Sequence, residues 1–198
     1  MESGAVAETE QQRARVCPWW LGYFLVSPLR RLVENPEKTL GPHVQSGMQV
    51  LEVGCGMGFF TLPLARLTGP QGRVLCVDLQ PRMLAALARR AQRAGLTDRI
   101  ELRQCGARSL GLADRAGAFD LAVLIYVLHE IPDKAGALRD VRAALKPEGR
   151  VLFIEPKGHV KPAAFEAELE LAAAAGLVLE RRLSQRRQYG AVLRAPAR

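Results

Sequence analysis

Cysteine is scarce in this chain and sits in no useful pattern. The four residues Cys17, Cys55, Cys76 and Cys105 are widely spaced, with no C-x-x-C pair among 198 residues. A disulfide framework and a zinc ribbon are therefore not expected, and a reducing, cytoplasmic setting is. A domain of this length buries enough apolar surface to stand without such staples. No charged-then-apolar leader opens the sequence, and the longest early apolar run, "WWLGYFLV" at 19–26, falls far short of the roughly 20 residues that cross a bilayer. Neither secretion nor a transmembrane segment is expected. Acidic residues are in deficit, 20 against 28 basic, for a net charge of +8. The last twenty residues carry six arginines against Glu180 alone. Only Tyr189 interleaves with them, so a solvated basic surface is expected ahead of a polyanion-binding patch.

Two phosphate-binding motifs are also missing. The stretch "LEVGCGMGFF" (51–60) has glycines at Gly54, Gly56 and Gly58 after an apolar run. Counting on from Gly54 and Gly56, the third glycine of a dinucleotide fingerprint falls on Phe59. No Gly-Lys-Ser/Thr follows, so a P-loop is absent as well.

What is present is an alternation of strands and helices. Residues 1–12 lack bulk and periodicity and read as a mobile tail. Residues 13–33 are aromatic and basic, broken by Pro18 and Pro28 into short helical pieces. Apolar runs at 48–54, 73–79, 99–105, 119–128 and 149–156 read as five strands separated by helical segments. After a helix at 162–176, runs at 177–183 and 188–195 are too close for a crossover and must form an antiparallel hairpin. The fold class is thus α/β: a Rossmann-like, doubly wound, seven-stranded, mostly parallel sheet with an antiparallel C-terminal edge hairpin. One domain over 13–198 is expected. It comprises an N-terminal helical lid or packing segment (13–47), a ligand-binding core (48–156), and a helix plus hairpin (157–198). No internal repeat is visible.

The order of "VLEVGCGMG", "VLCVDLQPRML", "FDLAVLIYVLHEIPD" and "LKPEGRVLFIEP" resembles the class I S-adenosylmethionine-dependent methyltransferases, from about Met48 to Pro156. The resemblance implies S-adenosylmethionine as cofactor, held by Glu52, Gly54, Cys55, Gly56, Gly58, Asp78, Leu79, Gly106, Ala107 and Tyr126. The chemistry agrees with this. A carboxylate at Asp78 accepts both ribose hydroxyl protons, and Glu52 sets negative charge near the cationic methionine end. Glycines let the backbone approach closely and leave N–H groups available. One position departs from the family: Gly106 stands where an Asp commonly receives the adenine amino group. Backbone groups of Gly106 and Ala107 are then the candidates for the adenine edge, with Cys105 or Leu79 against the ring.

The family's exocyclic-amine N-methyltransferases usually carry Asn/Asp-Pro-Pro-aromatic where this chain has "IYVLHEIPD". Its pattern is similar to the small-molecule branch that includes quinone-biosynthesis and arsenite enzymes. In-line methyl transfer to a small-molecule nucleophile is the implied reaction, for which a general base is optional. Tyr126 and His129 are the catalytic candidates. Trp19, Trp20, Tyr23, His129, Glu155 and Lys157 are candidates for the acceptor pocket, with Glu130 and His159 nearby. The 13–33 segment is open to three readings: a lid, a core helix, or a segment resting on an anionic membrane surface. Cys17, Cys55 and Cys105 converging on arsenite is an alternative to small buried cysteines, and no metal is assigned. Two other functions stay open: RNA or protein methylation, and non-catalytic S-adenosylmethionine binding. The acceptor and the oligomeric state are not legible.

Overall fold

The computed structural model describes residues 19, 20, 22, 24, 26, 27, 30, 33–184 and 186–197. The tail expected at 1–12, Cys17 and Tyr23 lie outside the described residues. Alternating apolar side chains build two cores. On β1 (Gln49–Val53), Val50 packs to one side, and Leu51 and Val53 to the other. On β4 (Phe119–Ile125), Leu121, Val123 and Ile125 join the first core, Ala122 and Leu124 the second. A strand buried on both faces needs a layer on each. The first layer is α1 (Pro36–Leu40), α2 (Thr61–Leu67) and α3 (Pro81–Arg93), which deliver Leu40, Leu64 and Leu87. The second is α4 (Lys134–Ala144) and α5 (Pro162–Ala174), through Leu138, Val141 and Phe165.

The remaining strands are β2 (Arg73–Asp78), β3 (Ile100–Gln104), β5 (Leu145–Pro156), β6 (Val178–Ser184) and β7 (Gln188–Arg194). Together they give a seven-stranded sheet of order β3-β2-β1-β4-β5-β7-β6. Strands β1 to β5 pair in parallel, and β7 runs antiparallel to both β5 and β6. The hairpin is therefore antiparallel as expected, with β6 at the edge and the last strand in the sheet's interior. Strand β5 starts earlier than the expected residue 149. Leu145 already pairs with Phe119, and an irregularity follows before Arg150 meets Leu121.

The strand order reverses between β1 and β4, and ligands of such sheets bind beyond the carboxyl ends of the strands at that reversal. There β1 ends in the glycine turn, β2 in Asp78, β4 in front of Tyr126, and β5 at Glu155 and Pro156. Among the described residues, no helix is long and apolar enough to cross a membrane.

Candidate active site

Gly54, Gly56 and Gly58 all hold left-handed backbone, with φ of 71°, 52° and 85°. A Cβ on Gly54 would stand 2.3 Å from Val127 Cγ2, and one on Gly58 2.4 Å from Leu87 Cδ1. A Cβ on Gly56 would meet nothing within 4 Å. Two glycines thus serve packing, and the middle one leaves space at the ligand side. Four backbone donors of this turn are engaged within the protein rather than free for a ligand. Gly54 and Cys55 N–H donate to Val77 O at 2.8 and 3.4 Å, Gly58 N–H to Cys55 O at 3.0 Å, and Gly56 N–H to Asp78 Oδ2 at 2.8 Å. A phosphate cradle needs such N–H groups pointing outward. This turn offers room instead, as befits a ligand without phosphate.

The turn opens into a cavity of about 1440 Å³, above the roughly 300–1,000 Å³ of a typical small-molecule site. Two ligands side by side fit such a volume. Asp78, buried at the end of β2, also accepts Gln80 N–H on Oδ1 at 2.8 Å. Burial raises its pKa, outweighing these two backbone hydrogen bonds. Glu52, one residue before the end of β1, is buried and accepts Thr61 Oγ1–H at 2.5 Å. Burial, with the nearby Asp78 charge adding to it, pushes Glu52 up to about 7. A cationic group entering beside it would draw the carboxylate form out.

On the other side of the cavity, His129 follows β4 in a single 3-10 turn, Leu128–Glu130. Its backbone N–H donates to Glu155 Oε1 at 3.2 Å, and its Nδ1 lies 2.5 Å from Glu155 Oε2. Glu155 itself is fully buried. Because a carboxylate can only accept, Nδ1 carries the proton and Nε2 is left as the acceptor. Burial works against a charged imidazole here, but the hydrogen bond and charge of Glu155 outweigh it and raise the His129 pKa above 6.5. His159, whose ring centroid is 6.1 Å away, lines the same cavity.

Tyr126 has φ of 60°, unusual for a residue with a side chain and worth roughly 1–2 kcal/mol of strain. Its side chain is held at several points. The hydroxyl donates to Glu34 Oε1 at 2.6 Å and accepts from Gln188 Nε2, which also donates to Glu34 Oε1 at 3.1 Å. Arg30 donates to the other Glu34 oxygen at 2.9 and 3.1 Å and lies 4.0 Å over the Phe59 ring. Burial and then the Glu34 carboxylate raise the Tyr126 pKa, so its hydroxyl stays a donor. This clasp ties the N-terminal segment to the ends of β4 and β7. Trp19, Gly22, Val26 and Arg30 of that segment line the cavity.

Of the expected cofactor residues, Glu52, Gly54, Cys55, Gly56, Asp78, Leu79, Gly106, Ala107 and Tyr126 line the cavity, and Gly58 closes the turn behind it. Gly106 differs from expectation in one respect: its N–H donates to Ser109 O at 3.0 Å, so it is spent within its own loop. Among acceptor candidates, Trp19 and His129 line the cavity. Trp20 does not, being 61% exposed on the outside. Lys157 does not either; its Nζ reaches Arg186 O and the Tyr189 ring, away from the cavity. Glu155 lies beneath His129 rather than in the pocket wall. Cys55 and Cys105 both line the cavity, but no group of three or more His, Cys, Asp or Glu is arranged to hold a metal among the described residues. The hydrogen bond with Cys76, and then burial, raise the Cys55 thiol, and burial raises Cys105 to about 11. Met57, Arg82 and Arg108 line the cavity without having been singled out, and so does Arg30, which had been considered only as part of the basic flank of the 13–33 segment. Met57 lay inside the glycine motif as a spacer, and nothing in the spacing of the arginines marks them.

Residues 44–189 match the family model of the methyltransferase domain. The chain is 34% identical over 112 residues to the ubiquinone/menaquinone biosynthesis C-methyltransferase UbiE of Hahella chejuensis, covering 57% of this chain and 44% of that protein. It is 30% identical over 119 residues to the demethylmenaquinone methyltransferase of Lactobacillus johnsonii, covering 60% and 48%. The matched region thus spans less than half the length of either curated relative. A solved S-adenosylmethionine-dependent methyltransferase from Aquifex aeolicus shares the fold with TM-score 0.81, at 22% identity, over 91% of this chain and all of that one. With the family model spanning most of the chain, and the glycine turn and acidic strand end meeting at the sheet's reversal, the chain belongs to the methyltransferase-domain family of class I, S-adenosylmethionine-dependent enzymes.

Proposed function

We propose that the chain methylates a small-molecule nucleophile in the cavity, with His129 as the group that takes the departing proton. The observation that carries this reading is that His129, backed by the buried Glu155, and the Gly56–Asp78 wall open onto one cavity. S-adenosylmethionine, when bound, supplies an electrophilic methyl group on a sulfonium, which needs a positioned nucleophile more than an activated one. Asp78 is placed to accept vicinal hydroxyls, and Glu52 to balance positive charge. His129 Nε2 accepts a proton from the nucleophile while Glu155 stabilises the resulting imidazolium, the division of labour seen in acid–base pairs generally. Trp19, Val26 and the Arg30–Glu34–Tyr126 clasp close the rim and restrict water.

Acceptors with a proton to lose, such as phenols, thiols, amines and activated carbon acids, fit this arrangement. The names of the quinone-acting relatives agree with the carbon-acid and phenol end of that range. The test is S-adenosylhomocysteine release over a panel of such acceptors with RNA included. Acceptor-dependent release from a small molecule supports the reading. Tight S-adenosylmethionine binding with no release across the panel overturns it in favour of a non-catalytic binding module.

The glycine turn yields a sharper expectation. Gly56→Ala adds a methyl into open space on left-handed backbone, so its stability cost is about 1–2 kcal/mol. Its affinity for S-adenosylmethionine should nevertheless fall strongly, because that space is the ligand's. Gly54→Ala drives its methyl into the stiff, β-branched Val127 and should cost roughly 2–5 kcal/mol in urea unfolding. Equal destabilisation by the two, with ligand affinity unchanged in Gly56→Ala, would contradict this division of roles.

A further inference from the structure

The rim segment has two faces. Val26 N–H donates to Gly22 O at 3.1 Å, and Gly22 N–H to Trp19 O at 3.1 Å, and Gly22 and Phe24 are helical. Gly22 faces inward: a Cβ on it would stand 2.9 Å from both Met57 Cε and Met83 Sδ. Val26, one turn on, packs against Met57, Met83 and Ala86. Trp20 and Phe24 stand one turn apart on the other side, 61% and 69% exposed. Val33, farther along, is 68% exposed. Large bare aromatics in this density on one helical face mark an interaction surface.

In the sequence, residues 11–33 hold four arginines and no acidic residue. Arg30 is ion-paired with Glu34 at 2.9 Å, so the basic charge at the surface here, among the described residues, is carried by the neighbouring helix. The neighbouring helix α3 likewise has no Asp or Glu, and its Arg82, Arg89 and Arg93 are exposed. Their spacing puts all three in one row along α3, beside Ala86, which the rim's Val26 covers. Arg82 also lies 4.8 Å over the Trp19 ring. Interfacial aromatics with a flank of arginines are what an anionic lipid surface rewards, through apolar burial and headgroup attraction together. A nucleic acid offers stacking for the aromatics but no gain for the exposed Val33.

We propose that Trp20 and Phe24, with the α3 arginine row, dock the protein onto an anionic lipid surface. The rim of the cavity then lies against the lipid, where an apolar acceptor is concentrated. Lipid docking needs no methyl transfer, so its failure and that of the catalytic reading are separable.

The test is co-sedimentation of the full chain with vesicles of phosphatidylcholine containing phosphatidylglycerol, against phosphatidylcholine alone. Wild type should bind the anionic vesicles, and binding should weaken with salt. Trp20→Ser/Phe24→Ser and Arg89→Glu/Arg93→Glu should each weaken it at least ~10-fold, with calorimetric affinity for S-adenosylmethionine unchanged as the check on folding. No binding by wild type, or wild-type binding by both variants, overturns the proposal. So does a dimer in sedimentation velocity that Trp20→Ser/Phe24→Ser dissociates, or RNA binding that both variants abolish while vesicles are ignored.

Discussion

Asp78→Ala is expected to weaken S-adenosylmethionine binding by two orders of magnitude or more. The carboxylate sits at the end of β2 with one oxygen on Gly56 N–H and the other on Gln80 N–H, each at 2.8 Å. Each oxygen keeps a further lone pair, which vicinal hydroxyls can use. Hydrogen bonds to a charged group contribute roughly 1.5–3 kcal/mol each, and about 2.7 kcal/mol corresponds to a hundredfold in affinity. Removing the carboxylate also frees the Gly56 N–H that shapes the turn, so geometry and hydrogen bonding are lost together. Asp78→Asn keeps one acceptor oxygen and most of the shape, and should bind with intermediate affinity. Isothermal calorimetry on both variants decides the matter. Wild-type affinity in Asp78→Ala would remove Asp78 from the cofactor site.

The second large effect concerns His129 and Glu155. A base must be neutral to accept a proton, and the Glu155 carboxylate raises the His129 pKa above 6.5. The rate should therefore climb with pH through that raised value. Glu155→Gln removes the charge but keeps a hydrogen-bonding group, so the acid limb of the profile should move to lower pH. Its plateau should fall, since nothing then stabilises the imidazolium. His129→Ala should lose about 10²–10⁴ in kcat, with little change in S-adenosylmethionine affinity. Stability follows the same pair with the opposite sense. The pairing stabilises the fold below the unfolded histidine's pKa, and that contribution is lost as pH rises through the folded value. An unshifted pH profile in Glu155→Gln would reduce Glu155 to a structural role.

The parts of the site that come from one continuous stretch were legible before the structure. Glu52, the three glycines and Asp78 belong to adjacent parallel strands and their turn, where local sequence dictates local geometry. The seven strands and the closing hairpin were legible for the same reason, since apolar runs and connection lengths limit the topology. Hydrogen-bond allocation was not. The glycine turn spends its donors on Val77, Cys55 and Asp78, and Gly106 spends its own on Ser109, choices that depend on three-dimensional placement. Glu155 was visible as an acidic strand end, yet its position under His129 depends on the register of β4 against β5. The outward turn of Trp20 was hidden because a short aromatic run, broken by prolines, does not say which side meets the sheet.

The clasp at Tyr126 has a consequence for the order in which the molecule comes into being. Gln188 and Glu34 are 154 residues apart in the chain, and contacts of such long sequence separation form late and slowly. A polypeptide emerging from the ribosome has its glycine turn, Asp78 and His129 long before residue 188 is made. Until the last strand slots in beside β5, nothing ties Glu34 to the sheet through Gln188. The ligand cavity is thus finished from opposite ends of the chain at once, and any nascent or C-terminally clipped form carries its binding residues under a rim held through Tyr126 and Phe59 but lacking the Gln188 fastening.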